Sequence, residues 1–528
     1  MIKLIKKIIL LIKSFLLIRD FKKKNRKIFH NSDKKVNKKI LLEFNSNDLS
    51  IIANSFFVNY LKKKYNAQII SYLFVFDFYY FHKIKLKVLE FFDYKYFGIF
   101  KSFGVNKFII NTDSKKFSKK VDSNLKNIFS KIKDKKDILK IRINKTLIGD
   151  LLYDSYLRLY NKPTIKLSDQ QFINFTKKFL ELFFYWEDYI SKNKKDIESI
   201  VVSHCVYYTA IPLRICINNN IDGFQVNVHG IHKLNQKELF SYSEFKNYPK
   251  IFKSLDDKNK NTYLEKAKNR VKLRLSGTGA DITYSKKTAY GNISKKRLIK
   301  KSPNIKVLIA AHCFSDSPHP FGENLFVDFY EWIHFLGNIS NKTKYDWYIK
   351  THPDFIQSTK DTIIEFTKKY PKLKLLPSTA SHNQIISEGI KFALTCYGTI
   401  GHEYAALNKI VINASLKNPH IAYKFNMHPK NIEEYEKILL NLKKVKLKID
   451  KKEIYEFYYM RYLYSADNWL LDNYKLLENR IGYKTFSTPI IYKYWLEQLD
   501  EKKIDKINEN IKNFINSKNY NLSPKHIN

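Results

Sequence analysis

Residues 391–412 read KFALTCYGTIGHEYAALNKIVI, and this stretch decides the class of fold. A short apolar run leads into a turn with two glycines, then a helical run and a second apolar run. Such alternation is typical of a parallel sheet covered by helices on both faces. Glycines let the backbone approach a ligand, and the amides at a helix N-terminus attract anions. We predict a ligand-binding turn here; a plain tight turn with a capping glutamate is the alternative.

The same alternation extends upstream of this stretch. Apolar runs predict strands at 306–311, 347–350 and 373–376, and helical periodicity predicts helices at 325–336 and 359–370. Together with strands at 391–395 and 410–412, these elements predict a Rossmann-like, doubly wound lobe.

A second series of alternating elements lies before residue 300. Its predicted strands cover residues 40–44, 67–76, 104–111, 197–204 and 223–228. We therefore predict an α/β fold with two Rossmann-like, doubly wound lobes and a helical C-terminal region. The expected divisions are an N-terminal amphipathic and basic segment at 1–38, lobes at 39–300 and 301–430, and the helical region at 431–528.

The composition fits a globular protein of this size. The 528 residues exceed what one core supports, and 44% of them are hydrophobic. A net charge of +45 raises nucleic acid or an anionic membrane as a partner. The lysines are spread over the whole chain, however, without an RNA-binding aromatic motif, a zinc finger or an arginine-rich helix. We predict no nucleic-acid partner and keep a basic scaffold or nucleic-acid binder as the non-enzymatic alternative.

The N-terminus and the cysteines bear on location. Apolar residues spaced along residues 2–16 share one helical face with lysines mostly beside it, which is typical of a helix lying on a membrane surface. A helix packed on the protein and a signal peptide are the alternatives. The four cysteines show no paired spacing, which fits a reducing cytoplasm. We expect a cytoplasmic protein that binds peripherally to an anionic inner membrane.

Polar residues that follow the strands of the second lobe are the first candidates for a ligand site, because ligands bind outside the carboxyl ends of parallel strands. His312 follows the first strand, Lys350 and His352 follow the second, and the glycine turn follows the fourth. His312, Asp316 and His319 could converge on a metal, but their spacing matches no zinc motif. We therefore predict no metal.

Two histidines follow strands of the first lobe. His204 and His229 are candidate bases, since an imidazole has a pKa near the working pH of most enzymes. A structural histidine is an equal alternative for each. A polar cluster at 150–158 either shapes a binding site or caps a helix.

The pairing of KTHPD at 350–354 with the turn at 395–412 resembles the second lobe of GT-B glycosyltransferases, particularly those that make bacterial capsule and surface polysaccharides. The resemblance covers residues 305–430 and implies a donor-binding set. In this set His352 contacts the donor nucleotide or phosphate. His312 and Lys350 are predicted to bind the donor as well, from their places at the strand ends and not from the resemblance. The glycine turn contacts the donor through Gly398, Thr399, Gly401 and Glu403, the first three at the phosphates and Glu403 at the ribose or base.

This resemblance implies a nucleotide-sugar donor as substrate, a glycan or lipid-linked acceptor, and no separate cofactor. His204 or His229 would take the proton of the acceptor hydroxyl. The same two-lobed fold and a similar turn occur in the UDP-N-acetylglucosamine 2-epimerases, so epimerisation of a sugar nucleotide is the enzymatic alternative.

Overall fold

The computed structural model describes residues 2–29, 36–73, 80–110, 115–240, 242–277, 288–291, 293–352, 356–465, 469–474, 476–477 and 490–527. Within these ranges, the side chains of residues 2–13, 80–83, 115, 242 and 243 are not described. The predicted apolar helical face at residues 2–16 therefore lies mostly outside the described side chains.

The strands form two parallel sheets and one short hairpin. Their bounds are β1 Lys39–Glu43, β2 Gln68–Leu73, β3 Val105–Ile110, β4 Arg142–Ile143, β5 Thr146–Leu147, β6 Ile197–Val202, β7 Asp222–Asn227, β8 Gly230–Leu234, β9 Lys306–Ala310, β10 Asp346–Lys350, β11 Leu373–Leu375, β12 Phe392–Thr395 and β13 Ile410–Asn413.

The helices before residue 300 are α1 Ile2–Phe29, α2 Asp48–Tyr65, α3 Tyr80–Phe91, α4 Tyr96–Ser102, α5 Ser118–Lys131, α6 Lys135–Leu139, α7 Gly149–Tyr160, α8 Gln170–Asn193, α9 Ile211–Asn218, α10 Tyr242–Lys246, α11 Tyr248–Lys253 and α12 Asp257–Ser276. Those after it are α13 Phe329–Lys342, α14 Gln357–Lys369, α15 His382–Ser387, α16 Ile400–Ala406, α17 Ile432–Leu440, α18 Lys451–Tyr458, α19 Ile490–Gln498 and α20 Glu501–Asn516. Among the described residues, none of these helices is long and apolar enough to cross a bilayer.

The first sheet has the order β3-β2-β1-β6-β7-β8, and the second has the order β11-β10-β9-β12-β13. All neighbouring strands in these two sheets are parallel except the β7–β8 pair, which is antiparallel. The chain adds strands outward first on one side of each sheet and then on the other. The order reverses between β1 and β6 in the first lobe and between β9 and β12 in the second. These two points are where a doubly wound sheet opens a crevice for a ligand.

Alternate residues of the strands enter different cores, as a sheet covered on both faces requires. In the second lobe, Val307 and Ile309 lie in one core while Leu308 lies in the other. In the first lobe, Ile40 and Leu41 are divided in the same way. The predicted α/β class with two Rossmann-like lobes is confirmed.

Several elements differ from the sequence prediction. The basic run at 22–27 belongs to the same helix, α1, as the predicted amphipathic face, and Phe21 and Phe29 bury this part of the helix against the first lobe. In the second lobe, α13 begins at Phe329 and not at residue 325, because Asp328 caps it by accepting a hydrogen bond from the Glu331 amide at 2.8 Å. β8 was not predicted.

The segments outside the two sheets bind the lobes together. The α12 helix lies before residue 300 but packs on the second lobe, where Val271 shares a core with Ala405 and Phe457. The C-terminal helices return to the first lobe, where Trp495 is buried and donates a hydrogen bond to Asn25 Oδ1 at 3.0 Å. The C-terminal region is therefore divided: residues 432–460 pack on the second lobe, and the described residues from 469 onward belong to the first lobe's core.

Candidate active site

The central crevice of the second lobe is built around His312 and Thr395, which follow β9 and end β12. His312 Nε2 lies 3.1 Å from Thr395 Oγ1, and the Cys396 amide donates to the same nitrogen at 3.3 Å. The Gly398 amide in turn donates to Thr395 Oγ1 at 3.1 Å. Because an amide only donates, Nε2 is an acceptor and the ring is neutral.

The surroundings of His312 keep it uncharged. Burial, followed by the nearby charge of His352, lowers the pKa of His312 to about 3. The ring stacks on Phe329 with centroids 4.5 Å apart and planes 13° apart. His312 therefore fixes the shape of the turn at 395–398 as a neutral group.

The two glycines of the turn are required by packing. A Cβ at Gly398 would lie 2.8 Å from Thr395 Oγ1, and a Cβ at Gly401 would collide with the ring of His420. Their amides are engaged within the structure, since Gly401 donates to the Gly398 carbonyl at 3.0 Å. The described residues offer no acceptor to the amides of Thr399 and Ile400. Of the three residues predicted to contact the phosphates, Thr399 alone keeps an amide without an acceptor among the described residues, and the neighbouring Ile400 amide is available beside it.

Glu403, in the first turn of α16, is buried in a cluster of hydrogen bonds. One carboxylate oxygen accepts from Arg274 Nε at 3.0 Å, and the other accepts from the Tyr290 hydroxyl at 2.9 Å. Burial raises the pKa of this carboxyl, but the charges of Arg274 and His402 and the hydrogen bonds from Tyr290 and Arg274 together outweigh burial, and the net pKa is lowered. The structure therefore presents Glu403 as an anchor for α12, and not as an exposed acceptor for ribose hydroxyls.

Lys350 ends β10 and His352 follows it, on the side of β9 opposite β12. Lys350 is buried, and burial lowers the pKa of its ammonium to about 8, opposed by the charge of Glu403. His352 is exposed, and its charge acts on both His312 and His382. Pro353 and Asp354, which complete the predicted motif, lie outside the described residues.

His382 is a member of this group that sequence reasoning missed. It is buried, and its Nδ1 lies 2.8 Å from the Tyr404 hydroxyl. Burial and the charges of Lys350, Arg274 and His352 lower its pKa well below the usual value. Three cationic side chains thus act on His382, and one of them, Arg274, is paired with the buried Glu403 carboxylate. The crevice therefore suits an anionic ligand.

The central crevice of the first lobe brings His204 together with Glu43, another residue that was not foreseen. Glu43 ends β1 and is buried, while Ser203 donates to its Oε2 from both the amide, at 2.6 Å, and the hydroxyl, at 2.7 Å. The amide of His204 donates to the same carboxylate. Burial raises the pKa of Glu43, and the charge of the exposed His204 opposes that effect. An acidic residue at the end of an apolar strand is the signal that could have identified it.

His229 lies apart from this pair. It is exposed in the turn between β7 and β8, where its amide donates to Asn227 Oδ1 at 2.9 Å. Its ring meets Tyr474 of the C-terminal region edge to face, with centroids 5.7 Å apart. Of the two predicted bases, only His204 adjoins a buried carboxylate at the centre of the sheet.

The loop at 312–322 crosses to the first lobe. His319 Nδ1 lies 2.6 Å from Asp154 Oδ1 on α7, and Ser317 donates to the other oxygen of Asp154 at 3.0 Å. Asp316 accepts from the Tyr207 hydroxyl at 2.7 Å. His312, Asp316 and His319 therefore face different partners, and the described residues contain no group of three or more metal-ligating side chains. In the polar cluster at 150–158, Asp154 and Arg158 join the lobes, whereas Asp150 pairs with Arg214 within the first lobe.

No protein-family model matches the chain, and no curated protein matches it. Solved structures similar to the chain include a beta Kdo 2,4 transferase, KpsC, of Thermosulfurimonas dismutans, at 11% identity, covering 50% of this chain and 79% of that one with a TM-score of 0.32. They also include UDP-GlcNAc 2-epimerase from Neisseria meningitidis bound to UDP-GlcNAc, at 12% identity, covering 87% of this chain and all (100%) of that one with a TM-score of 0.22. The wall teichoic acid polymerase TagF, at 12% identity, covers 95% of this chain and 100% of its own with a TM-score of 0.22. Likenesses this distant carry no argument about chemistry, which rests on the side chains of the two crevices.

Proposed function

We propose that the protein is a glycosyltransferase that moves a sugar from a nucleotide-sugar donor to a surface polysaccharide or lipid-linked glycan acceptor without a catalytic metal. The observation that carries the proposal is the cationic crevice at the centre of the second sheet. Lys350 and His352 flank it, and the turn at 398–401 contributes two amides for which the described part of the chain supplies no acceptor. Such a site suits a diphosphate.

On the donor side, these groups would stabilise the phosphate that leaves as the sugar is transferred. Fixed donors aimed at developing negative charge are among the strongest contributions to catalysis. The bonds from His312 to Thr395 and Cys396 keep the turn in shape before the donor arrives. The role of Glu403 would then be to hold Arg274 and Tyr290 at the edge of the crevice.

On the acceptor side, His204 would take the proton of the attacking hydroxyl. General base catalysis needs a proton acceptor within hydrogen-bond reach of the hydroxyl, and the exposed imidazole of His204 lies at the central crevice of the first sheet. Glu43 would support it by fixing the backbone of residues 203 and 204. The reaction would form a bond between the acceptor oxygen and the sugar and break the bond between the sugar and the phosphate.

Nucleotide binding tests the donor site directly. Thermal stability is measured with UDP, CMP, GDP and ADP on the wild type, on Lys350→Ala and on His352→Ala, with His334→Ala as a control on the outer helix α13. A saturating ligand stabilises the folded state by roughly 2 to 4 kcal/mol. We expect one nucleotide to stabilise the wild type and the control but not the two crevice variants. If none of the four nucleotides stabilises the wild type, the proposal is contradicted.

Glu43 favours epimerisation of a sugar nucleotide as the second candidate function. A buried carboxyl with a raised pKa suits a group that gives or takes a proton at a sugar carbon. Incubation with UDP-N-acetylglucosamine, first alone and then with a lipid-linked acceptor, followed by NMR, separates the two. A new epimer without any acceptor supports the epimerase, whereas an unchanged sugar together with transfer to a lipid-linked acceptor supports the transferase.

A further inference from the structure

Helix α3 and the turn that follows it carry five large apolar side chains that are exposed to solvent. They are, with their exposed fractions, Ile84 (44%), Val88 (47%), Phe91 (79%), Phe92 (70%) and Tyr94 (50%). We call these five residues the α3 patch. Exposed apolar residues scattered singly are ordinary, but a contiguous group of this kind marks an interaction surface.

The pattern of α3 explains why this surface is unusual. Leu86 and Leu89 pack against the first lobe's core, so they form the inward side of the helix. Ile84, Val88 and Phe91 follow the spacing of a second helical stripe, on the exposed side. A helix on the surface of a globular protein is normally polar on its outer face. The outer face of α3 is apolar, which indicates that it contacts an apolar partner outside the described chain.

The backbone that presents the aromatic residues is held firmly in place. The Asp93 carboxylate accepts from Arg26 of α1 at 2.8 Å and from Lys101 of α4 at 2.7 Å. Lys101 also donates to the Glu90 carbonyl at 2.8 Å. The Asp93 carbonyl packs so closely on Gly98 that no Cβ fits there. The exposed rings of Phe91 and Phe92 therefore project from a fixed turn.

The charges beside the α3 patch are positive. Lys85, Lys87 and Lys95 are exposed, whereas Asp93 is neutralised by its two cationic partners and Glu90 is half-buried. A second copy of the chain would bring the same lysines face to face, in a protein with a net charge of +45. The complementary partner is apolar and anionic at once, which describes a bilayer of anionic phospholipids.

We infer that the α3 patch docks on an anionic phospholipid bilayer, with the aromatic rings at the depth of the head groups and the lysines against the lipid phosphates. The phenyl rings of Phe91 and Phe92 are suited to the boundary between head groups and acyl chains, and Tyr94 adds an apolar ring with a polar hydroxyl. Arg26 joins α1 to the same turn, so α1 would lie beside the docked surface.

Binding of the full-length protein to vesicles tests the inference. Sedimentation is measured with vesicles of phosphatidylcholine containing phosphatidylglycerol and with vesicles of phosphatidylcholine alone, without any nucleotide. We expect the wild type to bind the anionic vesicles and Phe91→Ser/Phe92→Ser to bind at least about tenfold more weakly, since two exposed apolar side chains lose their burial in lipid. We expect Lys85→Glu/Lys87→Glu to weaken binding by about tenfold as well.

The matched control is Ile293→Ser, because Ile293 is 67% exposed and lies outside the α3 patch. It should bind as the wild type does, and circular dichroism checks that every variant is folded. Wild-type binding by the double serine variant would show that charge alone drives adsorption and would overturn the inference. A second result would also overturn it: a wild type that forms a dimer and does not bind vesicles, together with a double serine variant that is monomeric. A second copy of the chain would then cover the patch. Neither readout depends on the proposed transferase activity.

Discussion

Asp154 of the first lobe and His319 of the second form a buried pair across the junction of the lobes, with His319 Nδ1 2.6 Å from Asp154 Oδ1. Both side chains are only 3% exposed. Asp154 also accepts from the His319 amide at 3.2 Å and from Ser317 at 3.0 Å. The pair therefore holds the loop that begins at His312 against helix α7. Because His312 lies in the crevice of the second lobe, the pair connects that crevice to the first lobe.

This pair makes a prediction about stability. Removing one partner of a buried ion pair leaves the other unpaired and costs about 3 to 5 kcal/mol. We expect Asp154→Asn to lower the free energy of unfolding by about 3 kcal/mol, measured by denaturation in urea. Asp316 lies in the same loop as His319 and forms an exposed pair with Arg158 of α7. Asp316→Asn should therefore change the free energy of unfolding by less than about 1 kcal/mol. Equal effects of the two variants would contradict this assignment.

The same pair predicts a pH dependence. Burial lowers the pKa of His319, but the charge and hydrogen bond of Asp154 outweigh burial, so the net pKa is raised. Its contribution to stability is therefore complete below the unfolded pKa of about 6.5 and is lost as the pH rises through the folded pKa. We expect the wild type to lose stability in that window relative to His319→Gln, in denaturation experiments across a pH series. Parallel curves for the two proteins would be the contrary result.

Lys350 predicts a pH limit for donor binding. Because burial lowers its pKa to about 8, the ammonium is charged below that pH and neutral above it. We expect the affinity for a nucleoside diphosphate to fall as the pH rises through about 8, by roughly tenfold. In Lys350→Arg, whose guanidinium stays charged, the fall should vanish. Calorimetric titration at several pH values measures both, and an identical fall in the variant would assign it to another group.

Gly401 predicts a packing defect that its neighbour relieves. A methyl group at this position would collide with the His420 ring, so Gly401→Ala should destabilise the protein by about 1 to 3 kcal/mol. Removing the obstacle in Gly401→Ala/His420→Ala should restore part of that loss. Gly230→Ala is the matched control, because the nearest atom to its added Cβ, His232 Nε2, is 4.0 Å away. Thermal unfolding compares all three, and a neutral Gly401→Ala would refute the contact.

The two histidines predicted as bases can now be ranked. We expect His204→Ala to lower the rate of transfer by about 100-fold or more, as loss of a general base does, and His229→Ala to lower it far less. Glu43→Gln should keep the hydrogen bond from the Ser203 hydroxyl but shift the pH–rate profile, because the charge beside His204 is lost. Rates measured across pH decide this, and a larger loss in His229→Ala would reverse the ranking.

Local pattern was enough to predict most of the sheets and the strand ends that carry the candidate residues. The second lobe's strands begin and end within about two residues of their predicted bounds, because buried parallel strands are short apolar runs that need no distant information. The positions of His312, Lys350, His352 and the turn after β12 followed from those strand ends. What local pattern missed were elements defined by partners, such as β8, which exists through its antiparallel pairing with β7.

The sequence by itself thus determined the α/β class, the two lobes and the edge of each sheet where ligand chemistry is found, because these depend on apolar periodicity. Only the tertiary structure decided what the polar residues do. Glu403 meets Arg274 from 129 positions away, Glu43 meets Ser203 from 160, and Asp154 meets His319 from 165. A buried charge must find a partner wherever the fold brings one, and no local pattern records which residue that is.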